Sequence, residues 1–445
     1  MCLEISGTKE SKSAIELTLS LLSEYAKGSV SMRELLRGID SDLEHDLPTR
    51  SYVESRTLGV IRFLNTIDFL AVRALGKMNL SDLKAHDQSL LRLAIYENRW
   101  LQAPIKNTLA ALLQSLELLE VVDRASKISL RKKTRNMSPS NTLGLMFSHP
   151  SFLVDTFLEH LGRDEAIDLM EHNNGPRDYF VRVNTLLNDY DEVLSLLEKR
   201  GVALAPEPSV SGLFRVAEGV NSLFSSDAFK TGRILVQDKG SVIVGKALEA
   251  KSGMRVWDAC AAPGMKTHLI WESMNGRGQL TATDINAGRL EVARSRCSAL
   301  GCEGVEFMEA DASIAPVTDA EKIIIDAPCT STGILRSHPS YKWRLNKNML
   351  MGLMSIQNKI LDGVLGAYSD KPGTEVVFAT CSLLPHEGES QIDSAMARHP
   401  IELMRISFEG SSGYSGFECA EKVIRLFPHR ENSNGFFIAR MRITA

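Results

Sequence analysis

Two cysteines are the residues of this chain best suited to covalent chemistry. Cys329 follows the apolar run Ile323-Ile324-Ile325, and Cys381 follows the run Val376-Val377-Phe378. Such runs predict strands, and the carboxyl ends of strands carry the ligands in open α/β sheets. An isolated cysteine is more often a small buried apolar side chain. Because both thiols follow strands of one predicted sheet, we expect them to reach the same crevice and to act as nucleophiles.

The full set of cysteines argues for reduced thiols. There are seven, an odd number, with no Cys-x-x-Cys pair. Zinc knuckles and a disulfide framework are therefore not expected, and no metal site is predicted.

Strands and helical patterns alternate after residue 250, and this alternation predicts a doubly wound, mainly parallel α/β sheet. Helical spacing separates most of the strands, as in residues 287–300 and 346–367. The predicted strands are residues 254–259, 279–285, 305–311, 322–327, 375–380, 402–406 and 436–443.

The first of these strands leads into a turn suited to a cofactor. Gly264 stands between the strand and a helix start, where a ligand can approach the backbone closely. A single glycine leaves little room for a pyrophosphate, which favours a cofactor without phosphates. Asp284 ends the second strand 20 residues later, as a ribose-binding carboxylate does, and Asp311 ends the third, within reach of an adenine amino group. Either aspartate could instead cap the next helix, but together with the turn they favour S-adenosylmethionine.

Three separate motifs in order resemble the RNA cytosine-C5 methyltransferase family. The resemblance covers roughly residues 150–445. Its motifs are Asp258-Ala-Cys-Ala-Ala-Pro-Gly-Met-Lys-Thr267, Asp326-Ala-Pro-Cys-Thr-Ser-Thr-Gly333, and Thr380-Cys-Ser382 with Pro385 and Glu387-Gly388-Glu389.

This resemblance implies the roles of the catalytic residues. Carbon 5 of cytosine is a poor nucleophile, so its methylation needs a covalent partner at carbon 6. By resemblance, Cys381 attacks carbon 6 and Cys329 assists release of the methylated product. Asp326 is expected to bind the N3 edge of the base, although a strand-ending aspartate can also shape a turn.

The same resemblance implies a pocket for S-adenosylmethionine. Lys266 could instead be only a helix-start lysine. The residues that would line the pocket are Cys260, Ala261, Ala262, Pro263, Gly264, Met265, Lys266, Asp284, Asp311 and Asp326.

The chain departs from the family pattern in the Cys329 loop. Ser331 stands where the family usually has glycine, and a side chain there restricts the loop backbone. The stretch His338-Pro339 and Lys342-Trp343 resembles the family's continuation of this motif, and from it we expect contacts with the RNA backbone.

The first part of the chain reads as all-helical. Residues 13–120 show apolar positions at helical spacing, and residues 1–140 carry a net charge of +3 against −7 for the remainder. Residues 124–135 hold six basic side chains and no acidic one; such a run is most often a solvated face, but it also suits a phosphate backbone. Leu91-Arg-Leu-Ala-Ile-Tyr96 and Pro104-Ile-Lys-Asn-Thr108 are similar to the NusB-like RNA-binding domain of the Sun/RsmB branch.

These expectations combine into a multidomain protein of three parts. Residues 1–140 are expected to form the all-α NusB-like domain with a basic linker, and residues 141–235 a small α+β, RRM-like RNA-binding subdomain. Residues 236–445 are expected to form a Rossmann-like class I methyltransferase domain.

The predicted activity is that of an RNA (cytosine-5-)-methyltransferase, with small-subunit ribosomal RNA as the substrate that the resemblance implies. Transfer RNA is the nearer alternative substrate, and a non-catalytic RNA-binding or assembly protein is the rival class. A DNA cytosine methyltransferase is disfavoured because that family usually lacks the second thiol. The chain shows no secretory signal and no long apolar window, so we expect a cytoplasmic protein that does not enter membranes and acts as a monomer.

Overall fold

The computed structural model describes residues 9–28, 30–40, 47–103 and 116–444. By its internal contacts the chain divides into two compact units. The first comprises residues 1–174 together with Leu335–Arg344, and the second comprises Gly175–Ile334 and Leu345–Ala445. The predicted three-part division, with boundaries at residues 140 and 235, stays a prediction about domains. The motif Pro104–Thr108, one of the two stretches that resemble a NusB-like domain, lies outside the described residues.

The first unit is helical in the described residues, as its apolar spacing predicts. Ile15, Val60, Ile67 and Leu91 are among the side chains buried in its core. Its helices are α1 Lys9–Ala26, α2 Met32–Asp40, α3 Leu47–Arg62, α4 Leu64–Leu75, α5 Ala85–Trp100, α6 Leu116–Lys127, α7 Leu130–Lys133, α8 Pro139–Met146, α9 Ser151–Leu161 and α10 Arg163–Asn174.

The segment Leu335–Arg344 packs into this first unit although it follows the Cys329 loop in sequence. Lys342 is fully buried, and its Nζ atom donates to Asn174 Oδ1 at 2.7 Å and to the carbonyl oxygen of Ser148 at 3.0 Å. A third acceptor is the carbonyl oxygen of Arg62, at 3.3 Å. The expectation that Lys342 contacts an RNA backbone is therefore wrong, because its ammonium group lies inside the protein.

The second unit begins with a small antiparallel sheet. Its strands are in the order β2-β3-β1-β4, and Val193 and Leu197 of one helix are buried with the sheet in a common core. Asp189 caps that helix by accepting the backbone N–H groups of Asp191 and Glu192. The elements of this part are β1 Phe180–Val183, α11 Tyr190–Lys199, β2 Ala203–Pro206, β3 Leu213–Glu218, α12 Val220–Ser225, α13 Asp227–Lys230 and β4 Ile234–Val236.

A larger sheet with helices forms the rest of the second unit. Its first half contains α14 Lys239–Ala247, β5 Arg255–Asp258, α15 Met265–Ser273, β6 Gln279–Asp284, α16 Ala287–Ala299, β7 Val305–Glu309 and β8 Lys322–Asp326. The chain then contributes α17 Tyr341–Arg344 to the first unit before it returns to this sheet. The second half of the sheet and its helices are α18 Lys347–Ala367, β9 Glu375–Thr380, α19 Glu389–Met396, β10 Ile401–Met404, β11 Ile424–Leu426, α20 Pro428–Glu431 and β12 Phe436–Ile443.

The strand order of the large sheet is β10-β12-β9-β8-β5-β6-β7, and β11 also pairs with β12. Strands β5 to β9 are mutually parallel where they pair, and β12 runs antiparallel to its neighbours. This confirms the predicted, mainly parallel α/β sheet. All six residues of β9 are buried, which explains its continuous apolar run.

No helix of the described residues is both long enough and apolar enough to cross a membrane.

Candidate active site

The two predicted catalytic cysteines lie side by side. Strands β8 and β9 are parallel neighbours, with Asp326 opposite Ala379, so the loops that follow them leave the same edge of the sheet. The Sγ atoms of Cys329 and Cys381 are 3.3 Å apart. The sequence prediction that both thiols reach one crevice is therefore confirmed.

Glu387 fixes the Cys329 loop from the neighbouring loop. Its buried carboxylate accepts the backbone N–H of Thr330 at 2.9 Å, and it also accepts the Thr330 hydroxyl. Gln357 of α18 donates to the same carboxylate at 2.9 Å and to the carbonyl oxygen of Pro328 at 2.8 Å. The backbone is thus held on both sides of Cys329, because Glu387 bonds Thr330 and Gln357 bonds Pro328.

Further hydrogen bonds tie the two cysteine loops together. The backbone N–H of Gly333 donates to the carbonyl oxygen of Cys381 at 2.9 Å, and the Thr332 hydroxyl accepts the N–H of Leu383 at 2.9 Å. A side chain at Gly333 is not tolerated, because its Cβ would lie 2.0 Å from the carbonyl oxygen of Gly435. The two loops therefore form one rigid support for the thiols.

A buried ion pair anchors the Cys381 loop from beneath. The Arg425 guanidinium pairs with the Glu389 carboxylate at 2.5 Å, and both side chains are fully buried. Arg425 also donates to the carbonyl oxygens of Ser382 at 3.1 Å and Leu384 at 3.3 Å. Charge-assisted bonds of this kind fix geometry strongly, so the backbone after Cys381 has little freedom.

The electrostatic surroundings distinguish the two thiols. The hydrogen bond between the two thiols lowers the pKa of Cys381; Ser331 and Lys266 lower it further, whereas burial and Asp326 raise it. The same contact raises the pKa of Cys329, and burial adds to this rise. The contact therefore favours ionisation of Cys381 over ionisation of Cys329.

Other cysteines are poorer nucleophiles. Burial raises the pKa of Cys260, and the nearby carboxylates of Asp258 and Asp326 raise it further. The pKa of Cys302 is raised by a hydrogen bond with Cys297, and that of Cys419 is raised by burial. The thiolate is the reactive form of cysteine, and a raised pKa disfavours it at these three cysteines, whereas the lowered pKa of Cys381 favours it.

Ser331 occupies a backbone conformation that favours glycine. Its φ is +58°, in the left-handed region, as expected where the family usually has glycine. This conformation brings the Ser331 hydroxyl to 3.6 Å from the Cys381 sulfur. The serine therefore adds a polar contact to the nucleophile that a glycine cannot make.

Asp326 is held by Lys266 at the same edge of the sheet. The Lys266 ammonium donates to Asp326 Oδ2 at 2.6 Å. Burial lowers the pKa of Lys266, but the Asp326 charge more than offsets this effect, so the pKa is raised and the lysine is positively charged. Lys266 is the second residue of α15, and its side chain fixes the Asp326 side chain rather than serving the helix alone.

The loop after β5 has the shape expected for close approach of a ligand to the backbone. Gly264 has φ +92° and precedes α15 directly. A Cβ there would lie 3.1 Å from the backbone of Ala293 in α16, so only glycine fits without displacement. The predicted loop Cys260–Lys266 is thereby packed against α16, with its N–H groups at the carboxyl edge of the sheet.

The two predicted cofactor aspartates differ in their local bonds. Asp284 is buried and accepts the N–H groups of Asn286 at 3.0 Å and Ala262 at 3.3 Å, which ties it to the β5 loop. Asp311 caps a short 3₁₀ turn by accepting the N–H of Ser313 at 2.9 Å. One oxygen of Asp311 therefore acts as a helix cap, which was the alternative to cofactor binding. Asp284 instead joins two loops of the predicted pocket.

Sequence reasoning missed two apolar side chains at this edge. Ile285 and Ile314 follow the two aspartates, and 68% and 76% of their surfaces are exposed. Exposed isoleucines directly beyond strand ends offer contact area to a flat apolar ligand. The sequence signal that could have identified them is an isoleucine one residue after Asp284 and another three residues after Asp311, which lies two residues beyond the end of β7.

Among the described residues, no group of three or more histidine, cysteine, aspartate or glutamate side chains is arranged to hold a metal ion.

Comparisons with known proteins identify the family of this chain. The sequence profile of the 16S rRNA methyltransferase RsmB/F family matches residues 245–442, and that of the RsmF/B-like methyltransferase, ferredoxin-like domain matches residues 149–221. Ribosomal RNA small subunit methyltransferase B from Photorhabdus laumondii is 27% identical over 87% of this chain and 89% of its own length. The probable enzyme of the same name from Bacillus subtilis is 24% identical over 96% of this chain and 98% of its own.

A solved structure supports the fold of about two thirds of the chain. The methyltransferase homolog protein from Pyrococcus horikoshii has a TM-score of 0.61 and 28% identity, covering 69% of this chain and 99% of that protein. The profile matches cover β1 to β3 of the small antiparallel sheet and nearly all of the large sheet that carries both thiols. This chain belongs to the 16S rRNA methyltransferase RsmB/F family.

Proposed function

We propose that the protein transfers a methyl group to carbon 5 of a cytosine in small-subunit ribosomal RNA, with Cys381 as the attacking nucleophile. The observation that carries this proposal is the thiol pair, in which the sulfur atoms of Cys329 and Cys381 lie within hydrogen-bonding distance at 3.3 Å. A hydrogen-bonded thiolate at the carboxyl edge of a cofactor-binding sheet is the group that attack on carbon 6 requires.

The residues at the sheet edge fit S-adenosylmethionine. The close backbone packing at Gly264 and the buried Asp284 suit an adenosine moiety, and the exposed side chains of Ile285 and Ile314 suit contact with its purine ring. The groups that would hold the cofactor are thus the loop Cys260–Lys266, Asp284, Asp311 and Asp326. When bound, S-adenosylmethionine supplies an electrophilic methyl group.

The protein's own groups divide the remaining work. The Cys381 thiolate forms a bond to carbon 6, and the electron pair of the 5,6 double bond becomes available at carbon 5. Asp326, positioned by Lys266, binds the N3 edge and favours protonation of N3, which draws electron density away from carbon 6. After methyl transfer a base, here solvent water, removes the carbon 5 proton. The electron pair of that C–H bond re-forms the 5,6 double bond, and the Cys381 sulfur leaves carbon 6 as a thiolate. Cys329 assists this release because it lies beside the departing sulfur.

The base must leave its helix to reach these groups. Enzymes that act on a base extrude it or select a single-stranded target. We propose that the helical unit, as a NusB-like domain, and the small RRM-like subdomain bind the RNA while the cytosine enters the pocket. A monomeric state and a cytoplasmic location belong to the same proposal.

Methyl transfer to defined RNAs tests the proposal. Purified protein is incubated with labelled S-adenosylmethionine and either small-subunit ribosomal RNA or transfer RNA, and the modified nucleoside is identified by mass spectrometry. We expect 5-methylcytidine in the ribosomal RNA alone. Methylation of transfer RNA alone would overturn the choice of substrate, and the absence of 5-methylcytidine from both would overturn the proposed reaction.

A further inference from the structure

The helical unit contains a cleft that the methyl-transfer site does not use. It lies between α4 and α8, has a volume of about 530 Å³, and is lined by Asn65, Phe69 and Arg73 of α4 and by Met137 and Asn141. We refer to it as the α4–α8 cleft. Its volume falls in the range of about 300–1,000 Å³ that is typical of ligand sites.

A flat cation forms one wall of this cleft. The Arg73 guanidinium lies over the Phe69 ring, with its central carbon 3.5 Å from the ring centroid. Arg73 is exposed and forms no ion pair with any carboxylate of the described residues. Because one face of the guanidinium is covered by Phe69, the other is a ready platform for stacking a planar ring.

Two amide side chains give the α4–α8 cleft hydrogen-bonding groups. Asn65 donates to the carbonyl oxygen of Gly144 at 3.2 Å, which orients its amide. The exposed Asn141 side chain makes no hydrogen bond within the part of the chain that the structure describes. An amide offers both a donor and an acceptor, as the edge of a nucleobase requires.

A basic helix adjoins the α4–α8 cleft. Arg131, Lys132 and Lys133 of α7 are exposed, and none is paired with an acidic side chain of the described residues. The short turn after α7 leads directly into α8, where Thr142 donates to the carbonyl oxygen of Thr134 at 3.0 Å. The basic run predicted from sequence is thus located beside a cleft with a stacking platform, rather than on an isolated solvated face.

We propose that the α4–α8 cleft holds an unpaired nucleotide of the RNA, with its base against Arg73 and the flanking phosphates on α7. This inference rests on the proposed function for the class of partner, since the substrate is RNA. Phosphate charges match the unpaired cations of α7, and base stacking matches the Arg73 platform. An acidic protein would satisfy the cations but leave the stacking platform and the amides without a purpose.

Binding of the full-length protein to a fluorescein-labelled single-stranded RNA of 24 mixed nucleotides provides the test, followed by fluorescence anisotropy over a range of salt concentrations. The charge variant combines Arg131→Gln, Lys132→Gln and Lys133→Gln. Its matched control combines Arg33→Gln, Arg37→Gln and Lys84→Gln, which removes three exposed charges elsewhere in the same unit. We expect the charge variant alone to bind roughly tenfold more weakly, with a salt slope reduced by about 2.

The stacking variant Arg73→Lys keeps the charge but loses the planar group. We expect at least about fivefold weaker binding with the salt slope of the unaltered protein, and Asn141→Ala should weaken binding without a change in slope. Both positions are exposed, and melting curves check that the variants remain folded. In methyl-transfer assays the charge variant should raise the KM for RNA more than it lowers kcat.

Affinity equal to that of the control for both variant sets would overturn the cleft assignment and leave an acidic protein surface as the partner of α7. Methyl transfer is scored separately, so the two proposals fail independently. If the variants bind RNA as the unaltered protein does and the unaltered protein methylates RNA as proposed, only the role of the α4–α8 cleft is overturned. Weakened RNA binding in a protein that forms no 5-methylcytidine removes only the proposed reaction.

Discussion

The sulfur atoms of Cys329 and Cys381 lie 3.3 Å apart, within hydrogen-bonding distance, and this contact makes two chemically identical side chains unequal. It lowers the pKa of Cys381 and raises that of Cys329. Sequence alone placed both thiols at strand ends and took their division of labour from the family resemblance. The contact gives that division a physical basis, because the thiol that loses its proton more easily is the better attacker.

Replacement of Cys329 should affect both the attack of Cys381 on carbon 6 and the release of the methylated product. In Cys329→Ala the Cys381 thiolate loses its hydrogen-bond partner, so the acid limb of the pH profile of kcat/KM should move to higher pH. Activity then falls more at neutral pH than at high pH. Release of product should also fail, so we expect a protein and RNA adduct that survives a denaturing gel. Cys302→Ala is the control, and a gel with only free Cys329→Ala protein would remove Cys329 from the release step.

Ser331 should contribute to the nucleophile at a cost to the backbone. Both Ser331→Gly and Ser331→Ala remove the hydroxyl that lies 3.6 Å from Cys381, so both should move the acid limb upward. Only glycine relieves the left-handed φ, and Ser331→Gly should therefore be about 1 kcal/mol more stable than Ser331→Ala. Thermal melting and pH–rate profiles measure the two effects. A pH profile that neither substitution moves would contradict the role of the hydroxyl.

Glu387 should couple loop rigidity to turnover. In Glu387→Gln an amide group faces the Thr330 and Gln357 donors, and the lost charge-assisted bonds should cost about 2 kcal/mol or more of folding free energy. Misplacement of Cys329 and Cys381 should lower kcat roughly tenfold or more. The exposed change Glu409→Gln is the control. Equal kcat and melting temperature in the two variants would show that Glu387 does not position the thiols.

Lys342 should stabilise the helical unit from within. In Lys342→Met the oxygens of Arg62, Ser148 and Asn174 lose their buried donor, at a cost of about 2 kcal/mol or more. We expect a lower melting temperature, measured by circular dichroism. Lys347→Met, at the exposed start of α18, removes the same charge and should leave the melting temperature near that of the unaltered protein. A melting temperature of Lys342→Met equal to that of the unaltered protein would contradict this structural role.

The sequence predicted those features that depend on local patterns. Strand β12, Phe436–Ile443, was predicted with the bounds that it has, and β9 was recognised from its unbroken apolar run. The turn at Gly264 followed from one glycine between a strand and a helix. These signals are local because burial periodicity and turn chemistry are set by neighbouring residues.

Other features depend on pairs that are distant in sequence. Glu387 meets Thr330 across 57 positions, and Lys342 meets Ser148 across 194. No periodicity reports such contacts, so Lys342 was wrongly expected at an RNA backbone. Likewise, Ser331 was recognised as a departure from the family, but its contact with Cys381 depends on how two loops fold against each other.

Replacement of Cys381 tests most directly whether this side chain forms the covalent bond to the base. Cys381→Ala is incubated with ribosomal RNA and methyl-labelled S-adenosylmethionine, and 5-methylcytidine is counted by mass spectrometry beside the unaltered protein. We expect no product above the enzyme-free background, and no adduct when the change is combined with Cys329→Ala. Methyl transfer to carbon 5 by Cys381→Ala at the rate of the unaltered protein would contradict it.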